Sequence, residues 1–137
     1  MTKIHSASCK CGKVSFEIEL ANYNVGLCHC TDCQKISGSH FANIYHKGEI
    51  EYKGAEYITV FDSSSWAKRA FCNVCGSNLY YKFKDAEGYS LAAGLFDDQS
   101  DFVLKKQLFT DKKPAYINIA NQTDDMTEAE IRAKYNF

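Results

Sequence analysis

Hydrophobic and polar residues alternate with a period of two along much of the chain. In "KVSFEIEL", Val14, Phe16, Ile18 and Leu20 alternate with Ser15, Glu17 and Glu19, as in a strand with one face buried and the other in water. "FANIYHKGEIEYKG", "EYITVFD", "SNLYYKFKDAEGYSLAAGLF" and "FVLKKQLFT" have the same character, rich in aromatic and β-branched residues. Gly48, Gly54 and Gly88 fall where turns are expected, and "DAEG" reads as a hairpin tip. One helix is well signalled. Thr127 and Glu130 have capping-box spacing, and Ala129, Ile131, Arg132 and Ala133 are acceptable helix formers. The pattern predicts a mainly β fold in a single domain, residues 1–137, with a core from about 5 to 120 and a C-terminal helix at about 127–135. A short helical piece is expected after Cys33.

The bulk properties narrow the class. A chain of 137 residues can bury a core of its own, and one proline with eight glycines leaves no room for a long linker. The net charge of −1 provides no field for nucleic acid or an anionic membrane. "KK" at Lys105–Lys106 and Lys112–Lys113 is too little for a nucleic-acid stripe. "MTKIHSASCK" has no apolar run of the signal-peptide kind, and no later stretch is apolar enough to span a membrane. A cytoplasmic location is the expectation.

Seven cysteines change the picture. Grouped as C-x-C, C-x-C-x-x-C and C-x-x-C in a reducing compartment, they point to metal rather than to disulfides. "CKCG" (Cys9, Cys11) and "CNVCG" (Cys72, Cys75) each end in a glycine, Gly12 or Gly76, which reaches the positive φ of a tight turn at no steric cost. Four thiolates from these two turns would form a closed structural zinc site. Folding would then be coupled to metal binding by on the order of 10 kcal/mol.

"CHCTDC" holds three more, Cys28, Cys30 and Cys33, with no fourth cysteine. Three protein ligands and an open position are the pattern of a catalytic zinc site. Three thiolates make a poor Lewis acid but suit a fourth soft ligand, such as a substrate thiol held as thiolate. Other readings stand beside this one. His29, His40 or His46 could complete a Cys₃His cage, although the ring of His29, between two ligands, is expected to point away from an ion. Cys30 and Cys33 could be a redox pair, without the βαβ setting such a pair usually has. One thiol could also belong to the other group, because spacing alone does not assign it.

"SCKCGKVSFEI", "CHCTDCQKISGSHF" and "RAFCNVCGSNLYY" resemble, in order and separation, three signature blocks of the glutathione-dependent formaldehyde-activating family. The resemblance implies a tent-like β fold with two zinc ions. Cys9, Cys11, Cys72 and Cys75 would hold the structural ion, and Cys28, Cys30 and Cys33 the catalytic one. It also implies a carbon–sulfur lyase reaction in which a small thiol, glutathione in the family's named reaction, adds to formaldehyde. Two positions depart from the family pattern: Gln107 stands where a histidine is frequent, and Tyr116 where a tryptophan follows the proline.

Around the three cysteines, Ser37, Gly38, Ser39 and His40 read as a small-residue approach loop or an ordinary turn. Lys35 and Lys68 are candidates to offset the charge of the thiolates. His40 is a candidate proton donor. Trp66, Phe41 and Phe71 are assigned to the core, and Ser77 to capping its turn. The competing functional class is a binding module in which both ions only hold a β scaffold. Methionine sulfoxide reduction would need a nucleophilic cysteine outside both groups.

Overall fold

The computed structural model describes residues 3–135. These residues hold ten strands and two helices, so the mainly β expectation holds. Strands β1 (Ile4–Ser8) and β2 (Ser15–Glu19) form a two-stranded antiparallel sheet. The other eight are β3 (Asn24–Cys28), β4 (Phe41–His46), β5 (Ile58–Asp62), β6 (Ala67–Cys72), β7 (Asn78–Phe83), β8 (Tyr89–Ala92), β9 (Val103–Leu108) and β10 (Asp124–Met126). They form one sheet in the order β10-β9-β3-β4-β8-β7-β6-β5. Helix α1 is Thr31–Ser37, and α2 is Glu128–Tyr135.

Alternation along these strands divides the large sheet into two faces. Ile44, Leu79, Leu91 and Ala70 point to one side and pack with Val14, Phe16, Ile18 and Leu20 of the small sheet. This is the core, and bridges from Ala7 to Phe96 and from Ser15 to Lys53 hold the small sheet to it. The residues between them in sequence, Asn43, Tyr45, Ser90 and Arg69, line a cavity on the other side.

The predicted strands over "EYITVFD", the "DAEG" hairpin and "FVLKKQLFT" are present as β5, β7–β8 and β9. "GEIEYKG" is different. Ile50 and Tyr52 pack on the core, but only Lys53 bridges to another strand, so apolar alternation here marks a packed loop. Four strands lacked a signal: β1 and β3 are diluted by serine and glycine, β6 carries two cations, and β10 is acidic.

The helical piece expected after Cys33 begins earlier. Cys30 caps α1, its Sγ accepting the Cys33 N–H at 3.2 Å, a role that serine or aspartate usually fills. Gly38 ends the helix at φ +83°, with its N–H on the Gln34 carbonyl. The capping box of α2 forms as expected. The Thr127 N–H reaches Glu130 Oε1 at 3.0 Å, and the Glu130 N–H reaches Thr127 Oγ1 at 3.3 Å.

Candidate functional site

All seven cysteines fall into two groups of free thiols. Within each group the sulfur atoms lie within 4.8 Å of one another: Cys9, Cys11, Cys72 and Cys75 in one, and Cys28, Cys30 and Cys33 in the other. No thiol has changed groups.

The four-cysteine group is made by two turns. The Gly12 N–H bonds to the Cys9 carbonyl at 3.1 Å, and the Gly76 N–H to the Cys72 carbonyl at 2.8 Å. Both glycines have positive φ, +82° and +80°, the conformation the sequence required of them. Their N–H groups serve the turn carbonyls; sulfur is reached by other backbone N–H groups, that of Val14 lying 3.3 Å from Cys9 Sγ. Ser77 does more than cap its own turn. Its Oγ accepts the Lys10 N–H at 3.0 Å and lies 3.2 Å from Cys75 Sγ, so it joins the two turns. That contact, followed by the Ser77 backbone N–H, holds the Cys75 thiol down at about 5.

Sulfur separations of 3.5 Å for Cys9–Cys11 and 3.8 Å for Cys11–Cys72 are far beyond a disulfide bond. They match the edges of about 3.8 Å of a tetrahedron with zinc–sulfur bonds of about 2.3 Å. The donor set and its spacing therefore fit a four-coordinate ion such as zinc.

The three-cysteine group sits where β3 runs into α1. His29 anchors that junction through its main chain: its N–H bonds to the Leu108 carbonyl at 3.0 Å, and its carbonyl accepts from Gln34 Nε2 at 2.8 Å. Gln34 Nε2 also reaches the Lys112 carbonyl at 3.0 Å, tying α1 to the turn after β9. Among the described residues, no histidine or carboxylate joins the three sulfurs. The His29 ring is buried and turned to Gln107, with Nε2 2.8 Å from Oε1. Gln107 passes the contact on to Thr123 Oγ1 at 3.0 Å, which donates to Asp125 at 2.6 Å. The departure at Gln107 thus supplies the partner of the histidine lying between two cysteines. His40 packs edge-on against His29, ring centroids 5.7 Å apart, rather than among the residues lining the cavity. The other departure, Tyr116, is 80 % exposed and takes no part in the site.

The cation at this site is Arg69. Its Nη2 donates to Cys33 Sγ at 3.2 Å. Its guanidinium lies over the Tyr81 ring at 4.7 Å and near that of Phe41 at 6.0 Å. Lys35 and Lys68, the candidates from sequence, are exposed and do not line the cavity. Alternation along β6 puts Arg69 on the cavity face and Lys68, one residue earlier, on the opposite face, where it is solvated. Burial opposes the Arg69 charge, yet the facing Cys33, Cys30 and Cys28 raise its pKa. Hydrogen bonds from Cys28 and then Cys33 lower the pKa of the Cys30 thiol. The same sharing, first with Cys30 and then with Cys33, raises that of Cys28.

The three cysteines open into a cavity of about 830 Å³, within the range of small-molecule sites. Phe41 and Trp66 form part of its wall. Phe41 is buried, as expected, but Trp66 and Phe71 are only half-buried. The far wall belongs to β10 and α2. Arg132 lies over Trp66 at 5.7 Å and pairs with Glu128 at 2.8 Å, and Ile131 is buried beneath. Nothing in the cysteine pattern indicated that this C-terminal segment would enclose the site.

Fold and site together define a β-rich protein with two cysteine clusters able to hold metal ions, one closed and one facing a cavity. The chain belongs to the glutathione-dependent formaldehyde-activating enzyme family, whose model matches residues 4–112. Over 128 residues it is 26 % identical to an uncharacterized lyase of Schizosaccharomyces pombe, covering 93 % of each chain. A crystal structure of a Rhodobacter sphaeroides protein shares the fold with a TM-score of 0.59 and 23 % identity, over 67 % of this chain and 87 % of that one. β10 and α2 lie beyond the family match. No helix among the described residues is long and apolar enough to cross a membrane.

Proposed function

We propose that the protein is a zinc-dependent carbon–sulfur lyase that joins a small thiol, glutathione in the first instance, to an aldehyde such as formaldehyde, or splits the adduct. Cys9, Cys11, Cys72 and Cys75 hold a structural ion, and Cys28, Cys30 and Cys33 a catalytic one. The observation that carries this reading is a group of three thiols with no fourth protein ligand among the described residues, opening into a cavity and bonded to a buried arginine. The family's named activity and the lyase name of the yeast relative agree with it.

Zinc held by the three cysteines would keep an incoming thiol in its nucleophilic thiolate form at neutral pH. The residues of the chain do the rest. Three thiolates exceed a dication by one negative charge, and Arg69 cancels it, so a further thiolate enters a site that is no longer anionic. Tyr81 and Phe41 hold the guanidinium in place. His29 and Gln107 fix the backbone between Cys28 and Cys30 from behind. In the forward reaction sulfur bonds to the aldehyde carbon while the carbonyl π bond breaks. The resulting alkoxide takes up a proton equivalent to the one the thiol gave up, through water. The reverse reaction returns thiol and aldehyde.

Exchange NMR of glutathione with ¹³C-formaldehyde tests the reading, because the uncatalysed addition is reversible and slow enough to follow. Zinc-loaded protein should accelerate exchange between the hydrated aldehyde and the S-hydroxymethyl carbon, and Cys30→Ser should not. Equal exchange rates with and without wild-type protein would reject glutathione and formaldehyde as its substrates.

A further inference from the structure

One half-buried lysine on the cavity wall has no partner among the described residues. Lys106 is half-buried and lines the cavity, yet its amine takes part in none of the ion pairs or hydrogen bonds among the described residues. Its cationic neighbour Lys112 is already engaged with Glu128 at 3.7 Å. Asp124, next to Lys106 in the β9–β10 register, forms no ion pair with it. The Lys106 amine is therefore uncommitted, and an anion arriving in the cavity would gain a charged hydrogen bond from it.

The sheet register aims this lysine at the cysteines. Leu108 pairs with Cys28 and Lys106 with Gly26 across β3 and β9. Lys106 therefore sits one two-residue step, about 6.6 Å, from the row that carries Cys28, on the same face. Gly26 makes room for it. A Cβ there would lie 3.1 Å from Lys106 Cε and 3.2 Å from Cγ, so the aliphatic stem lies flat over a position that has no side chain. On the other side of Gly26 is Asn43, its partner in β4, which also lines the cavity. The Asn43 Nδ2 is engaged with the Gly26 and Phe41 carbonyls at 3.4 and 3.2 Å, so the Lys106 amine is the uncommitted donor one row from the open cluster.

From this arrangement we propose that Lys106 receives a carboxylate of the substrate, so the site selects thiols that carry an acid group a few bonds from sulfur. The proposal rests on the reading that Cys28, Cys30 and Cys33 leave a metal position to a thiol. It assigns to this chain a specificity-determining cation outside the cysteine motifs.

The test uses cobalt-substituted protein and two probe thiols, 3-mercaptopropionate and 2-mercaptoethanol, with binding read from the increase in the sulfur-to-cobalt charge-transfer band above that of the protein's own cysteines. Wild type should bind the acid roughly tenfold more tightly, as one charged hydrogen bond permits. Lys106→Met should erase that preference and leave 2-mercaptoethanol within about twofold of wild type. Gly26→Ala, which displaces the stem but keeps the charge, should lose part of the preference and guards against a folding defect in the first variant. Equal binding of both thiols by wild type, or a preference that survives Lys106→Met, overturns the subsite and leaves the thiol reading standing. No change in the charge-transfer band with either thiol overturns both.

Discussion

Arg69 Nη2 stands 3.2 Å from Cys33 Sγ, although the two residues are 36 apart in sequence and on different elements. Arg69 is only 4 % exposed, so the contact is a charge-assisted hydrogen bond made away from water. Arg69→Met should weaken metal binding at the three-cysteine site by roughly tenfold to a hundredfold, the equivalent of about 1.5–3 kcal/mol for a hydrogen bond to a charged group. Methionine fills much of the space, so the fold should be retained. Chelator competition reads the two sites separately, and the four-cysteine site should be unchanged.

Ser77 connects the two turns of the closed site, with Oγ at 3.0 Å from the Lys10 nitrogen and 3.2 Å from Cys75 Sγ. Ser77→Ala should leave both the Lys10 N–H and the Cys75 sulfur without this partner. Metal should then leave the four-cysteine site roughly tenfold faster, as when hydrogen bonds to metal ligands are removed elsewhere. Release into a chromogenic chelator measures it.

Gln107 holds a buried histidine and a threonine at once. Gln107→Leu would strand His29 Nε2 in an environment closed to water, at a cost of about 1–3 kcal/mol. Urea unfolding should show the loss. If stability were unchanged, the His29–Gln107 contact would not be what fixes this junction.

His40 titrates below its usual range, first because it is buried and second because of His29. A histidine whose folded pKa is depressed binds fewer protons in the folded protein than in the unfolded chain. Its effect is absent above the unfolded pKa, about 6.5, and stability falls as pH drops through that value towards the folded one. His40→Phe should flatten this part of the stability–pH curve. Denaturation of wild type and variant side by side at pH 7 and pH 5.5 isolates the difference.

Much of the site was legible because cysteine chemistry is local. Two thiols in one turn, followed by a glycine, indicate a metal turn at once, and both glycines have the φ that the turns demand. Counting the remainder left three thiols together. The strands with strong alternation and the Thr127 cap were readable for the same reason. What escaped depends on which strands become neighbours. Arg69 reaches Cys33 only because β6 lies on the same sheet as β4 and β3, with Arg69 on the cavity face. Lys106 comes near Cys28 through a parallel pairing of β3 with β9, which alternation does not specify. α2 was predicted as a helix, yet its place on the cavity wall depends on Trp66 and Glu128 contacts far apart in sequence.

The central claim is that the two cysteine groups differ in kind, one closed and one open to a thiol. Zinc per chain, measured by elemental analysis on metal-replete wild type and Cys30→Ser, tests it most directly when each protein is also titrated with glutathione after cobalt substitution. Wild type should hold two equivalents, and Cys30→Ser one in a protein that is still folded, because only the closed site supports folding. Glutathione should perturb the cobalt spectrum of wild type and leave that of the variant unchanged. One equivalent in wild type, or a second site indifferent to glutathione, would contradict the account.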